Sequence, residues 1–486
     1  MFVTGAPSRA AGVRRSASSD LANPACWLRY RTDSGHTVQV NSDSRDDRDP
    51  VMPESTLGRS ARLIGLPLGV AARAGVGAGK RLLGADAEDV DAQLKNAAAE
   101  QLFAVLGELK GGAMKFGQMM SMFEAFMPED LAAPFRERLR QLQDGAPPMP
   151  SSKAQAVLRA ELGSNWRSHF AEIDLRPAAA ASLGQVHRGR LHDGTEVAIK
   201  VQYPGAAAAV ASDLRQVRRL TKAISPLTGG LDLVSIAREM AIRITEEVDY
   251  TLEAAAQSQV AEALADHPRF VVPKVRLFTE RVLVSDWVEG RKLVSLTDRP
   301  AAERNQAALD YVTFLFAGPS LAGILHGDPH PGNYLVTPDG RLGVVDFGLV
   351  ARLPDGLPEP MGRLIRNAVN GDAEAMLAGL REEGFVTAAV SAEELLDFFV
   401  AFVEPAKVNQ FHFSREWSRQ QFGRVHSSMG PNEVATKLNI PAHYMIIYRA
   451  WLGAISVLCQ LDVVEDFAAI LRQYLPGFAV EEDTSP

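Results

Sequence analysis

Apolar and polar residues follow three different patterns along this chain. In residues 88–143 the apolar positions recur every three or four residues, which predicts helices. Residues 155–290 contain short β-type runs, which predict strands, and after residue 348 the helical spacing returns. Residues 1–58 are rich in Ser, Asp, Arg, Pro and Gly and have no sustained apolar period, so we expect disorder there.

Two apolar stretches raise the question of a membrane span. Residues 311–325 are too short and contain Gly318-Pro319, and residues 444–461 carry Arg449 in the middle. We therefore expect both stretches to form buried helices of a large helical domain.

Composition excludes several classes of protein. A chain of 486 residues exceeds one typical domain, so two or three units are expected. The net charge of -8 argues against a nucleic-acid partner, which would require a basic surface. Cys26 and Cys459 lie far apart in the sequence, so neither a disulfide framework nor a zinc site is indicated. A reducing compartment such as the cytoplasm fits this cysteine usage.

Two N-terminal features bear on location. Residues 1–32 are rich in Arg, contain Ser and are nearly free of acidic residues, which is typical of an organellar transit peptide. Translation from Met52 would instead give a cytoplasmic protein, and we favour that interpretation. Residues 57–83 interleave basic and apolar side chains, which predicts either peripheral contact with an anionic membrane at its inner face or a helix packed on the body of the protein.

The strongest chemical signal lies in residues 326–349. Asp328 and Asn333 have the spacing of the D-x-x-x-x-N element of a kinase catalytic loop. Asp346 follows a short apolar run and begins an Asp-Phe-Gly turn. A carboxylate and an amide are the oxygen ligands that a hard cation such as Mg²⁺ prefers, and a further carboxylate can orient an attacking hydroxyl or water. The pattern therefore predicts nucleotide chemistry.

A second signal lies upstream, in the run Val197-Ala-Ile-Lys200. A strand of this type directs its lysine toward the α- and β-phosphates of a nucleotide. A buried ammonium needs a carboxylate partner on a helix, and the candidates are the acids of residues 246–253, which are Glu246, Glu247, Asp249 and Glu253. Residues 282–290 are predicted to form the strand and hinge that meet an adenine edge, chiefly at Asp286 and Val288.

Six motifs in a fixed order then give the chain a family resemblance. They are Lys115-Phe-Gly-Gln118, Ala179-Ala-Ala-Ser182-Leu-Gly-Gln-Val, Val197-Ala-Ile-Lys200, Glu247-Val-Asp249, His326-Gly-Asp328-Pro-His-Pro-Gly-Asn333 and Asp346-Phe-Gly348. Over residues 95–470 the chain resembles the ABC1/ADCK/UbiB family of atypical protein-kinase-like proteins. The resemblance implies an α+β, two-lobed protein-kinase-like fold, with a small β-rich N-lobe, a helical C-lobe and a helical N-terminal extension. It also implies ATP and Mg²⁺ as cofactors.

Composition and the resemblance together divide the chain into five expected segments. These are a disordered segment 1–58, a helical N-terminal extension 59–150, a kinase-like N-lobe 151–290, a helical C-lobe 291–478 and an acidic tail 479–486.

It also implies a role for each candidate residue. The expected catalytic residues are Asp328, Lys200 and Glu253, and the expected magnesium ligands are Asn333 and Asp346. The expected nucleotide contacts are Ala180, Ala181, Ser182, Lys200, Asp286 and Val288. Lys115, Gln118, Glu247 and Asp249 are expected to occlude the site, with Lys115 paired to one of the two acids where a peptide would otherwise enter. His326 and His330 are expected to be structural.

Three functions remain open. The favoured one is an Mg²⁺/ATP-dependent atypical kinase or ATPase that supports isoprenoid-quinone or other lipid metabolism, with a lipid or quinone precursor as ligand. The alternative is a nucleotide-switched, lipid-binding scaffold with little catalysis. A conventional protein kinase comes third, because the alanine-rich loop and the Lys115 motif both argue against it.

Overall fold

The computed structural model describes most of the chain from residue 149 onward. The described residues are 149–181, 183–211, 214–215, 248–386, 388–427 and 434–479. The predictions for residues 1–58, 57–83 and 88–143, and for the acidic tail beyond residue 479, fall outside this set and stay predictions. The same holds for the five-segment division as a whole.

Strands dominate the described chain up to residue 292, and helices dominate it from residue 301. The strands are β1 (Glu172–Ile173), β2 (Ala179–Ala181), β3 (Gly184–Arg190), β4 (Glu196–Gln202), β5 (Phe270–Val271), β6 (Val275–Phe278), β7 (Val282–Asp286), β8 (Arg291–Lys292), β9 (Ile324–His326), β10 (Tyr334–Val336), β11 (Leu342–Val344), β12 (Val350–Arg352), β13 (Phe411–Phe413) and β14 (Val463–Glu465). The helices are α1 (Ser151–Leu162), α2 (Tyr250–Ala263), α3 (Ala301–Ala322), α4 (Glu359–Asn370), α5 (Ala373–Glu382), α6 (Ala392–Val403), α7 (Arg415–Ser427), α8 (Met445–Leu461) and α9 (Phe467–Tyr474). A β-rich lobe is thus followed by a helical lobe, in the predicted order.

The first lobe is built on an antiparallel sheet. Its strand order is β1-β3-β4-β7-β6, and β2 pairs with β3 as a hairpin. In β4 the alternation of side chains places Val197, Ile199 and Val201 in a core that they share with α1. Lys200 therefore projects from the opposite face of the sheet, between its register partners Val186 on β3 and Leu283 on β7.

The second lobe is built around α3. Residues 310–319 of this helix are buried without interruption, so it is enclosed on all sides rather than amphipathic. Helix α8 packs against it, and the Trp451 ring stacks on Phe316 with ring centroids 4.9 Å apart. Both apolar stretches thus form helices packed in the second lobe over most of their length, although Ile324 and Leu325 of the first belong to β9 and the second is only partly buried. No helix in the described ranges is long and apolar enough to cross a membrane.

Short strands at the junction of the lobes bring the polar loops together. The β10–β11 hairpin pairs Tyr334 with Val344, and the Val345 N–H donates to the Asn333 carbonyl at 2.9 Å. Asn333 and Asp346 therefore lie at the same end of the hairpin. Strand β12 pairs with β9, whose last residue is His326, so the loop carrying Asp328 begins beside them.

The buried side chains of Gln185 and His187 connect the start of the first lobe to its sheet. The Gln185 side-chain oxygen accepts the Met149 N–H at 2.9 Å, and its amide nitrogen lies 3.0 Å from His187 Nε2. The other ring nitrogen of His187 lies 3.0 Å from the Asp174 carbonyl. This arrangement suits a neutral imidazole that donates from Nδ1 and accepts at Nε2. Burial lowers the pKa of His187, although the Asp174 contact partly opposes the shift.

The first prediction concerns this histidine. Because its pKa is lower in the folded state, unfolding takes up a proton, so its contribution to stability is full above pH 6.5 and falls as the pH drops below that value. His187→Gln should flatten the pH dependence of the free energy of unfolding by at most about 1.4 kcal/mol per pH unit. Urea unfolding at pH 7.5, 6.5 and 5.5 measures this slope. The exposed His192→Gln is the matched control, and equal slopes in the two variants would contradict the prediction.

Candidate active site

The centre of the site is the Lys200 ammonium. Its Nζ lies 2.7 Å and 2.8 Å from the two carboxylate oxygens of Glu253, and 3.2 Å from Oδ1 of Asp346. The side chains of Lys200 and Glu253 are only 11% and 4% exposed. Burial alone would lower the pKa of Lys200, but the charges of Asp346 and Glu253 outweigh it and hold the pKa well above its ordinary value. The ammonium is therefore charged and held by both lobes.

Local backbone chemistry explains why Glu253 is the partner. Asp249 caps α2, and its carboxylate accepts the Thr251 N–H at 2.9 Å. The helix thus begins at Tyr250, which places Glu253 in its first turn. The Gln202 side chain, at the end of β4, donates to the Val248 carbonyl at 2.8 Å and fixes the approach to the helix. Gln202 was not among the predicted site residues. Its position on β4, two residues after Lys200, is the sequence feature that could have indicated its role.

Part of the predicted occluding group falls outside the described residues. Lys115, Gln118 and Glu247 belong to it, so their roles stay predictions. Asp249 is described, and its observed contact is the helix cap, which a pairing with Lys115 would have to share.

Asp346 occupies an unusual backbone conformation. Its φ of 68° lies in the left-handed region, which few residues other than glycine adopt, although Asp tolerates it better than most. The Gly348 N–H donates to Asp346 Oδ1 at 3.2 Å, and the neighbouring Phe347 side chain is buried. Such strain persists where the surroundings over-determine the conformation, as they do at functional sites.

His326 supports Asp346 from behind. Its Nε2 lies 2.9 Å from the Asp346 carbonyl, and its Nδ1 lies 3.1 Å from the Tyr334 hydroxyl. Burial lowers the pKa of His326, with partial opposition from the nearby acids Asp328 and Asp346. With both ring nitrogens engaged in structural contacts, the arrangement is that of a structural histidine.

The Asp328 carboxylate is held at two points. Its Oδ2 accepts from the Asn333 amide nitrogen at 3.1 Å, and its Oδ1 lies 3.3 Å from Nη2 of Arg449. Arg449 also donates from Nε to the Gly327 carbonyl at 3.0 Å. In the sequence, Arg449 served only as an argument against a membrane span. A charged residue in an apolar helix requires a partner, so the sequence indicates that Arg449 has one but does not identify Asp328.

The donor set fits a hard divalent cation. The Asn333 amide nitrogen is committed to Asp328, which makes the amide oxygen the atom to offer a cation. Asp346 supplies a carboxylate at the same end of the hairpin. One carboxylate, one amide oxygen and substrate phosphates are the ligands that Mg²⁺ commonly takes. No cluster of three or more His, Cys, Asp or Glu suited to a metal occurs within the ranges described.

The alanine-rich segment lies in the same sheet as Lys200. Ala180 pairs with Gln185 and Ala181 with Gly184 between β2 and β3. Ser182 lies outside the described residues. A Cβ on Gly184 would lie 2.3 Å from the Val201 carbonyl, so only glycine allows β3 to approach β4 this closely. The hairpin thus lies beside the strand that carries Lys200. The contacts of these residues with a nucleotide stay predictions.

The hinge residues lie farther from the cluster. The Asp286 carboxylate pairs with Arg276 at 2.6 Å, so any contact between Asp286 and a base would come from its backbone. Val288 packs against Gly343 of β11. Both residues line a cavity of about 490 Å³, together with residues 337–339 and Arg341, and Lys200 does not line it. Their proposed role at an adenine edge stays a prediction.

A β-rich lobe with a Lys–Glu pair, a loop with the D-x-x-x-x-N spacing and an Asp-Phe-Gly carboxylate defines a protein-kinase-like class. Comparison with known proteins agrees. The model of the ABC1 atypical kinase-like domain matches residues 141–379. The structure of Rv3197 from Mycobacterium tuberculosis, solved with erythromycin, is 37% identical with a TM-score of 0.62, and the match covers 81% of this chain and all of that one. The chain belongs to the ABC1 atypical kinase-like family and has its kinase-like fold.

Two curated relatives carry functional names. Atypical kinase COQ8B, mitochondrial, of Danio rerio is 30% identical over 345 residues, which are 69% of this chain and 55% of that protein. Protein ACTIVITY OF BC1 COMPLEX KINASE 3, chloroplastic, of Arabidopsis thaliana is 29% identical over 387 residues, which are 77% of this chain and 52% of that protein. The chain therefore spans about half the length of these two relatives.

The second prediction concerns the buried ion pair. Lys200→Met should destabilise the protein by about 3 kcal/mol, because it removes the ammonium that pairs with the buried Glu253 carboxylate. Adding Glu253→Gln should restore part of the loss. Urea unfolding at pH 7.5 measures both changes. The control is Arg363→Met, which breaks an exposed pair with Glu359 and should cost at most about 0.5 kcal/mol. Equal losses for Lys200→Met and the control would be incompatible with a buried pair.

The third prediction concerns the proposed cation ligand. Asp346→Asn should abolish Mg²⁺-dependent ATP binding, because the variant keeps the side-chain size and removes the charge that the cation requires. Thermal-shift titration with MgATP measures binding, and the exposed Asp298→Asn is the control. Shifts of equal size in the wild type and in Asp346→Asn would sink the assignment.

Proposed function

We propose that this protein is an Mg²⁺/ATP-dependent atypical kinase or ATPase. One observation carries the proposal. The network Glu253–Lys200–Asp346 and the network Asn333–Asp328–Arg449 meet where the lobes join, at the end of the β10–β11 hairpin that is flanked by both Asn333 and Asp346. A cation for phosphates, oxygen ligands for a metal and a further carboxylate are the groups that phosphoryl transfer needs.

Each group then has a defined task. Lys200 binds the α- and β-phosphates, and Glu253 keeps its ammonium in place. Asn333 and Asp346 hold Mg²⁺, which screens the charge of the phosphates when it is bound. Asp328 accepts a hydrogen bond from the attacking hydroxyl or water and orients it. The alanine-rich hairpin covers the phosphates through residues 180–182.

The segment after Gly348 bears on which class of molecule could accept the phosphoryl group. Only residues 349–358 separate this glycine from α4, and β12 takes up three of them in pairing with β9. The Leu353 N–H donates to the Gly323 carbonyl at 2.8 Å, and the Leu357 side chain is buried. A conventional protein kinase binds its peptide along a longer activation loop. The packed segment therefore favours a small acceptor or water over a peptide.

A lipid-related acceptor is the class that the family resemblance favours. We propose a quinone precursor or another lipid as the ligand, and peripheral contact with an anionic membrane through residues 57–83. The erythromycin complex of the mycobacterial relative supports testing bulky, largely apolar ligands as well. A mitochondrial or chloroplastic location is a property of the two named relatives. For this chain we propose the cytoplasm, or an organelle if residues 1–32 act as a transit peptide.

The N-terminal motif completes the proposal. Lys115, paired with Glu247 or Asp249, would hold the extension across the peptide entrance. Lys115→Ala should then relax the site and permit transfer of labelled phosphate from ATP to protein.

The nucleotide-switched scaffold is the second candidate function. The buried charges of the site are the observation that disfavours it.

The fourth prediction concerns turnover. The wild-type protein should release phosphate from ATP in the presence of Mg²⁺, and Asp328→Asn should slow release about 100-fold, because a positioned base contributes at least that much. Phosphate release is measured with and without anionic vesicles and a phenolic quinone-precursor analogue, and protein-bound label is scored separately. Release that is absent in every condition would favour the scaffold. Strong labelling of a generic protein substrate by the wild type would favour a conventional kinase.

A further inference from the structure

Helix α8 touches the catalytic loop along one face. Ile446 packs on Gly327, where an added Cβ would lie 2.8 Å from Ile446 Cγ2. One turn later Arg449 contacts the Gly327 carbonyl and the Asp328 carboxylate. One further turn along, a Cβ on Gly453 would lie 2.1 Å from Pro329 Cγ. The spacing of three and four residues places all these positions on the same side of the helix.

This face of α8 lies beyond the family-model match, which ends at residue 379. The contact is nevertheless made with the loop that carries the proposed catalytic carboxylate. The loop is also held from α3, where the Tyr311 hydroxyl donates to the Pro329 carbonyl at 2.7 Å. Two helices of the second lobe therefore hold the backbone on either side of the Asp328 side chain.

The contacts of the Asp328 carboxylate with Asn333 and with Arg449 differ in kind. Asn333 holds Oδ2, but Asn333 is also a proposed cation ligand, so it serves two partners. Arg449 holds Oδ1 and grips the adjacent carbonyl with the same guanidinium, which fixes the loop and the carboxylate together. With side chains 11% and 9% exposed, the Arg449–Asp328 pair is shielded from solvent.

We propose that α8 is a structural part of the active site and that Arg449 is a positioning residue for Asp328. The inference rests on the proposed function for the role of Asp328. Arg449 sets the rotation of the carboxylate so that one oxygen faces the acceptor hydroxyl, while Gly453 lets the helix approach closely enough for the arginine to reach. Because Arg449 contacts the backbone and the carboxylate of the loop that carries Asp328, it acts on turnover and not on ATP binding.

A helix that merely packs against the loop would give a different result. Loss of packing lowers stability and affects ATP binding and turnover together, whereas loss of positioning lowers kcat and leaves KM for MgATP unchanged. The variant Arg449→Lys distinguishes the effect of the positive charge from that of the guanidinium geometry. It keeps the charge but not the paired contacts of the guanidinium.

The experiment compares three variants with two controls. The variants are Arg449→Met, Arg449→Lys and Gly453→Ala. The controls are Gln460→Ala, an exposed position on the same helix, and Gly423→Ala, a helical glycine in α7 whose added Cβ meets nothing within 4 Å. Steady-state phosphate release gives kcat and KM for MgATP. Hydrogen–deuterium exchange of peptides covering residues 326–336 reports the order of the loop without any need for turnover.

We expect Arg449→Met and Gly453→Ala to lower kcat about 10- to 100-fold, which is typical of a misplaced catalytic group. KM for MgATP should change less than about twofold, and loop exchange should become about tenfold faster. Arg449→Lys should fall between wild type and Arg449→Met in both readouts, and the controls should match wild type.

Wild-type kcat and loop exchange in Arg449→Met would overturn the inference, as would a rise in KM that accounts for the whole loss. If the wild type itself releases no phosphate, the proposed function fails, and the exchange experiment still decides whether Arg449 orders the loop. Unchanged exchange in that case would overturn the inference too.

Discussion

The buried Lys200 ammonium constrains the placement of the strand, helix and loop that surround it. A charge that is 11% exposed is tolerated only when paired, and its partners come from different parts of the fold. Glu253 is carried by α2, and Asp346 by the loop after β11 in the second lobe. The sheet, the helix start and the loop must therefore be placed together. The cap at Asp249 and the left-handed backbone at Asp346 are local features that this joint placement requires.

Uncharged polar side chains also hold the loops that carry Asp328 and Asp346. His326, in its neutral form, links the backbone of Asp346 to the Tyr334 hydroxyl. The Tyr311 hydroxyl holds the Pro329 carbonyl on the other side of the loop. Because these groups are buried and hydrogen-bonded, movement of the loop would leave donors or acceptors unsatisfied, which is costly. The loop that carries the Asp328 carboxylate is thus held in one conformation.

Sequence patterns were sufficient for features that are local in the chain. The two buried helices, the strand carrying Lys200 and the order of the lobes follow from periodicity and from short motifs. The partner of Lys200 could be narrowed to a few carboxylates, but choosing Glu253 firmly requires knowing where α2 begins, and the Asp249 cap decides that. Contacts between distant segments were not predictable. Arg449 lies more than a hundred residues from Asp328, and nothing in its surroundings names its partner.

The charged groups also bear on the choice between an enzyme and a scaffold. Replacing a buried ion pair by apolar residues of similar size is often neutral or stabilises a protein by about 1–4 kcal/mol. A scaffold that needed only its fold would therefore lose nothing by replacing the pair of Lys200 with Glu253 or the pair of Arg449 with Asp328. This chain holds both pairs buried, and it places a strained Asp346 next to the first and Asn333 next to the second. Buried, paired charges gathered in one cleft are typical of sites that perform chemistry, and this concentration favours catalysis over a purely structural role.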